Sequence, residues 1–235
     1  MPSNSYINFL YLQKDVTDLT DVHFRISGGK PGKKSLGFLT RSAVIMLCAA
    51  WERFNEDLLL EAIDVINRGI KSPNKLPIEV QKTISKKVTG HRHELKTIEM
   101  AGDGWKRLWR GFAEEETERF NTPKQAQLKE LFLRYLGVSD FTAFWIPRHV
   151  GKIDKFVEIR GEIAHKGSQA QYVHLRQLQA YIEILRSNAI EIDRNMSLFL
   201  TNLIGLYESP WLELYPRTLE GYKNEPRRFV SSGRK

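Results

Sequence analysis

The chain has 235 residues, 41% of them hydrophobic, which is enough for one sizeable core. Its 36 basic against 28 acidic side chains leave a formal charge of +8, which favours polyanionic partners without naming one. The single cysteine, Cys48, excludes an internal disulfide and so removes the disulfide-stapled secreted class. The opening "MPSNSYINFLYLQKD" lacks the pattern of a secretion signal, and no run of about 18 uncharged apolar residues occurs, so a soluble protein of the cytoplasm is expected.

Nearly every apolar run repeats at three and four residues, which predicts an all-α fold. A first helix spans Ser5 to about Phe24, with Ile7, Leu10, Tyr11, Val16 and Leu19 on one face. The stretch "SGGKPGKKS" then interrupts it as a mobile basic connector. The longest apolar element, "LGFLTRSAVIMLCAAWERFNEDLLLEAIDVINRG", is expected to be the central helix. Phe38 and residues 41 to 50 read as almost wholly buried, followed by an amphipathic half on Phe54, Leu58, Ala62 and Val65. Gly69 and "KSPNKLP" end it.

Residues 70–147 are more polar and read as a helical insertion with peripheral helices at "IEVQKTISKKVTG" and "DGWKRLWRGFAEEETERF". "NTPKQAQLKELFLRYLG" adds a short helix with Leu128, Leu131, Phe132 and Tyr135 inward and Gly137 as its stop. "RHVGKIDKFVEIRGEIAHKG" buries Ile153, Phe156, Val157, Ile159 and Ile163, and a long helix follows from about Ser168 to Leu206. The expected organisation is residues 1–37 as an N-terminal helix and basic loop, 38–206 as the main helical domain, and 207–235 as a disordered tail.

The chemistry concentrates in "RGEIAHKG", residues 160–167. Cleaving RNA without a metal requires a group to take the 2′-hydroxyl proton, a group to protonate the departing 5′-oxygen, and a cation for the charge gathering on phosphorus. Histidine titrates near neutrality, and guanidinium offers a permanently charged planar fork, so His165 and Arg160 suit these tasks. Positions five apart lie about 140° around a regular helix. A loosened last turn, helped by Gly161 and by Gly167 at the helix end, is therefore expected to let His165 swing toward Arg160.

Other residues compete for roles. Glu52 in "WERF" could reach the same cleft, although a solvated helix charge is the favoured reading. Glu158 and Glu162 share a face and could tune His165, while Lys155 and Lys166 would satisfy both as helix neighbours. Lys82, Lys86, Lys87, Arg92 and Lys96 could form a phosphate-tracking face, against the ordinary reading of a solvated surface. Trp105 and Trp109, at i and i+4, could stack bases or fill the core. "HRH" at 91–93 places its histidines about 200° apart on a helix and lacks a carboxylate or cysteine cluster, so neither a metal nor another cofactor is expected.

The motif "EIRGEIAHKG" ends an apolar helix and is followed at once by a long one. Together with "AAWERFNEDLL" and "NTPKQAQLKELFLRYLG" before "FW", it resembles the RiboL-PSP branch of the HEPN superfamily over about residues 38 to 206. That resemblance implies a helical bundle that dimerises about a two-fold axis, with two Arg160–His165 pairs lining one cleft. It also implies a metal-independent endoribonuclease of prokaryotic anti-phage or toxin systems, with RNA, a second copy and an antitoxin or defence protein as partners. The position after the arginine, often asparagine in the superfamily, is Gly161 here. The alternative is a non-catalytic module binding RNA, a nucleotide or a protein through the same cleft. The sparsely charged "AVIMLCAA" and the long closing helix independently favour a dimer, since they offer more apolar surface than one thin bundle covers.

Overall fold

The computed structural model describes residues 2–28, 36–92 and 94–211, with only the backbone at 94 and 95. The glycine- and lysine-rich part of the expected basic connector, His93 of "HRH" and the tail from 212 onward lie outside the described residues. Among those described, seven α-helices and several short 3-10 turns make up the fold and no strand occurs. The helices are α1 (Asn4–Ser27), α2 (Gly37–Gly69), α3 (Ile78–Thr89), α4 (Gly104–Thr117), α5 (Gln125–Leu136), α6 (Val150–Lys166) and α7 (Leu175–Ile204). No helix among the described residues is long and apolar enough to cross a membrane.

The start of α1 is held from outside its own chain segment. Ser3 caps the helix by accepting from the Tyr6 N–H at 3.0 Å, while its own N–H donates to both Asp193 carboxylate oxygens at 3.1 Å. The N–H groups of Asn4 and Ser5 donate to the two Glu61 oxygens at 3.0 Å. Two acidic side chains, one from α2 and one from α7, thus satisfy the amides that a helix N-terminus leaves over and meet the positive end of its dipole. Burial nonetheless pushes the Asp193 carboxyl up to about 7.

From that anchor α1 runs antiparallel along α2, with Asn8 donating to Asp57 at 2.9 Å and Phe9 packed on Phe54 at 5.5 Å between rings. The central helix is buried at Val44, Leu47, Trp51, Phe54, Leu58, Ala62 and Ile66. Its first half departs from the sequence expectation. Phe38 is 54% exposed and Met46 37%, and Ser42 and Ala49 are exposed beside them, so an uncovered stripe runs along α2 where continuous burial was anticipated. The residues are uniformly small or apolar there, and composition alone does not say which side neighbours cover.

Residues 70–147 pack on the second half of α2. The polar helices α3 and α4 are less peripheral than their composition suggests, because each contributes a narrow apolar face to the shared core. Trp105 and Trp109 are 2% and 0% exposed, and the Trp109 indole N–H donates to the Tyr135 carbonyl at 3.1 Å. They fill the core, and the base-stacking ledge imagined for them is ruled out by that burial. Helix α5 ends at Gly137, whose φ of 73° is left-handed and favours glycine, as its sequence predicted.

The loop before α6 is fixed by two asparagines of α7. Asn188 accepts from the Ile146 N–H at 2.8 Å and Asn195 donates to the Phe144 carbonyl at 3.2 Å. Phe132 and Phe141 stack across the loop's base. These contacts set where α6 begins and hence where its functional end projects.

Candidate active site

Helix α6 turns Ile153, Phe156, Val157 and Ile163 inward, with Phe156 packed against Tyr181 of α7 at 5.0 Å. It remains α-helical through Lys166, and the break comes at Gly167, where φ is 54°. The loosening expected at Gly161 therefore does not occur, because a single open glycine in a packed helix is tolerated without a kink. Arg160 and His165 consequently project about 140° apart. His165 is exposed, while Arg160 turns toward α2.

Between the two, on the same arc of α6, lie Gly161 and Ala164. Nothing stands within 4 Å of where a Gly161 side chain would begin, and Ala164 is exposed. Arg160 and His165 thus flank a shallow, unobstructed strip of backbone and methyl. A larger residue at 161 would project into that strip.

Arg160 meets Glu52, with 3.7 Å between its guanidinium nitrogen and the carboxylate oxygen Oε2. That oxygen is buried and accepts no hydrogen bond, so Arg160 is the group that compensates it. Burial raises the Glu52 carboxyl above its ordinary range, and Arg160 opposes the rise. One turn along α2, burial and the neighbouring Glu52 push Glu56 up to about 7. The same cleft, about 390 Å³, is bounded by Leu12 and Asp15 of α1, floored by Met46 and Ala49, and closed by Arg160. Cys48 lies beneath it, buried, with its thiol pushed up to about 12.

The family model described as RiboL-PSP-HEPN matches residues 8–197. The chain belongs to the RiboL-PSP-HEPN family. The matched span takes in α1 from residue 8 onward, where Phe9 and Val16 share the core of the later helices. No curated protein and no solved structure matched in the corresponding searches. Membership in this HEPN family supports an RNA-related function in general terms.

The other sequence-derived residues are placed differently from one another. Glu158 pairs with Lys124 at 2.9 Å, across from the N-terminus of α5 and not with Lys155. Glu162 pairs with Lys166 at 3.1 Å as its spacing suggested, and the Lys166 hydrogen bond holds its carboxyl below the ordinary range. Lys82, Lys87 and Lys96 are engaged by Glu79, Glu116 and Glu99, which interrupts the continuous basic face read from the sequence. Lys86 and Arg92 remain exposed.

Sequence reasoning passed over Glu56 and Asp15, although both line the cleft of Arg160. A signal existed for the first: Glu52 and Glu56 are four apart and share a face of α2. Among the described residues no group of three or more His, Cys, Asp or Glu side chains is arranged to hold a metal ion.

Proposed function

We propose that this RiboL-PSP-HEPN protein is a metal-independent endoribonuclease acting as a two-fold dimer, serving prokaryotic anti-phage defence or a toxin–antitoxin system. The observation carrying this reading is the open Gly161–Ala164 strip, flanked by one guanidinium and one exposed imidazole, in a chain of this family. A phosphodiester laid on that strip has Arg160 on one side to bind its non-bridging oxygens. His165 stands on the other to take the 2′-hydroxyl proton. Attack of the 2′-oxygen on phosphorus breaks the bond to the 5′-oxygen and leaves a 2′,3′-cyclic phosphate. His165 of one subunit would act as base and its counterpart as the acid that protonates the 5′-oxygen. The deciding experiment is incubation of the purified protein with total RNA in EDTA beside His165→Ala. Cleavage indifferent to His165 would defeat the assignment, and intact RNA under all conditions would favour a binding module.

The exposed α2 stripe supports the dimer. Met46, which lines the cleft of Arg160, is joined as exposed apolar area by Phe38 on α2 and by Val22 and Ile26 on α1. Sedimentation is expected to give a dimer at micromolar concentration and Met46→Arg to shift it to the 27.3 kDa monomer with loss of cleavage. A wild-type protein that stays monomeric would remove the shared cleft.

Glu56 gives the site a pH dependence of definite sign. Its carboxyl takes up a proton as pH falls through about 7, which removes a negative charge from the cleft of Arg160. Binding of an uncleavable RNA should therefore tighten as pH drops from 8 to 6, and Glu56→Gln should bind at pH 8 as the wild type binds at pH 6. Isothermal titration at the two pH values checks this; an unchanged slope in Glu56→Gln would assign the effect elsewhere.

A further inference from the structure

The segment joining α6 to α7 carries side chains that the cleavage mechanism does not use. The Gln171 N–H donates to Glu162 at 3.5 Å, and Ala170 and Val173 are buried, so residues 170–174 fold back along the end of α6. They present Tyr172 and His174 with ring centres 4.9 Å apart and planes at 77°, forming a right-angled aromatic corner. His174 is exposed and Tyr172 half-buried.

The Tyr172 ring lies over Gly37, the first residue of α2. A Cβ at that glycine would come within 3.0 Å both of the ring and of a guanidinium nitrogen of Arg41, so Tyr172 and Arg41 meet above the same backbone position. The acidic groups of α2 are otherwise committed: Glu52 to Arg160, Glu56 and Asp57 to Arg53, Asp64 to Arg110, and Glu61 to the start of α1. None of them neutralises Arg41.

Arg41 and Glu52 are eleven residues apart on α2, about three turns. That separation places them within about 20° of one edge and about 16 Å apart along the helix. Since Arg160 reaches Glu52, the seam between α2 and α6 carries two cations, Arg160 at the cleft and Arg41 farther along, with the aromatic corner beside the second. A cation spaced along a groove from a stacking surface matches the repeat of a single strand, in which phosphates alternate with bases free to leave the stack. A duplex keeps its bases paired and cannot fill such a corner.

We propose that Tyr172 and His174 hold the base, and Arg41 the phosphate, of a nucleotide farther along the strand from the cleavage position, which makes single-stranded RNA the substrate class. This rests on the RNA-cleaving reading of α6. The probe is a fluorescent, uncleavable 2′-O-methyl single strand, compared with its duplex and with the same strand carrying abasic positions, followed by anisotropy. The wild type binds the single strand more tightly than the duplex, Tyr172→Ala weakens single-strand binding about tenfold, and Tyr172→Phe retains it. Arg41→Ala lowers the slope of log affinity against log salt by about 0.7. On the abasic strand wild type and Tyr172→Ala bind alike.

Tyr172→Leu, which still covers Gly37, replaces the alanine variant if circular dichroism shows that variant unfolded. Equal loss on intact and abasic strands overturns the proposal, since the ring then only supports the fold. Binding unaffected at Tyr172, or no binding by the wild type, overturns it as well. The two readings separate cleanly: Tyr172-dependent binding without any His165-dependent cleavage would leave this site standing and defeat the nuclease, and His165-dependent cleavage with Tyr172→Ala binding normally would do the reverse.

Discussion

Replacing His165 with alanine is expected to lower RNA cleavage by on the order of 10³-fold while leaving the thermal melt nearly unchanged. General acid–base groups contribute about 10²- to 10⁴-fold, and here one side chain type supplies both proton transfers of the proposed dimer. The stability side follows from placement: His165 is exposed at the end of α6, and substitutions at such positions typically stay within about 0.5 kcal/mol. Arg160 should behave differently in both respects. Arg160→Lys keeps the charge but loses the planar fork, for a loss of roughly 10²-fold in rate. Arg160→Ala also removes the cation that compensates the buried Glu52 oxygen, so it should destabilise the fold more than His165→Ala does. Single-turnover assays beside melts by circular dichroism measure both quantities. Wild-type products ending in a 3′-hydroxyl would exclude attack by the 2′-oxygen, and a His165→Ala protein that simply unfolds would return the histidine to a structural part.

Trp51→Ala is expected to destabilise the protein by about 3–5 kcal/mol, a large share of the roughly 5–15 kcal/mol by which domains are usually stable. Trp51 is fully buried at the middle of α2. It meets Trp145 edge-to-face at 5.6 Å and Phe54 at 5.8 Å, and its indole N–H donates to the Pro123 carbonyl at 3.2 Å. One side chain thereby ties the central helix to the start of α5 and to the loop that launches α6. Truncation leaves a cavity and also an unpaired carbonyl. Urea unfolding should show the midpoint fall steeply for alanine and less for Trp51→Phe, which refills much of the volume. A loss of unfolding free energy below about 1 kcal/mol in the alanine variant would mean that the surrounding rings collapse into the space.

The helices were legible because periodicity is local. The ends of α5 and α6 could be read from Gly137 and Gly167, since both adopt positive φ, and the inward faces of α5, α6 and α7 followed from three- and four-residue spacing. The exposed stripe of α2 was not legible: Phe38 and Met46 look like core residues in the sequence, and only the packing shows them exposed among the described residues. Arg160 and His165 could be singled out from one short segment, but their relation to Glu52 could not, because 108 positions separate Glu52 from Arg160 and only the crossing of α2 with α6 joins them. Glu158 illustrates the same limit, since its partner Lys124 comes from another helix's approach and not from its own helical neighbours.

The clamp on the first helix also bears on how the chain comes to be folded. Ser3 and Asp193 are 190 positions apart, so the amide that opens α1 finds its acceptor only after α7 has been made. On the ribosome, α1 and α2 can pair early as a local hairpin, with Glu61 already available to two amides. The third must wait for α7. Contacts of such long sequence separation form late and slowly, because the loop they close has to be ordered first. Synthesis order and fold closure are thereby coupled: a nascent chain released before residue 193 lacks the latch that seats α1.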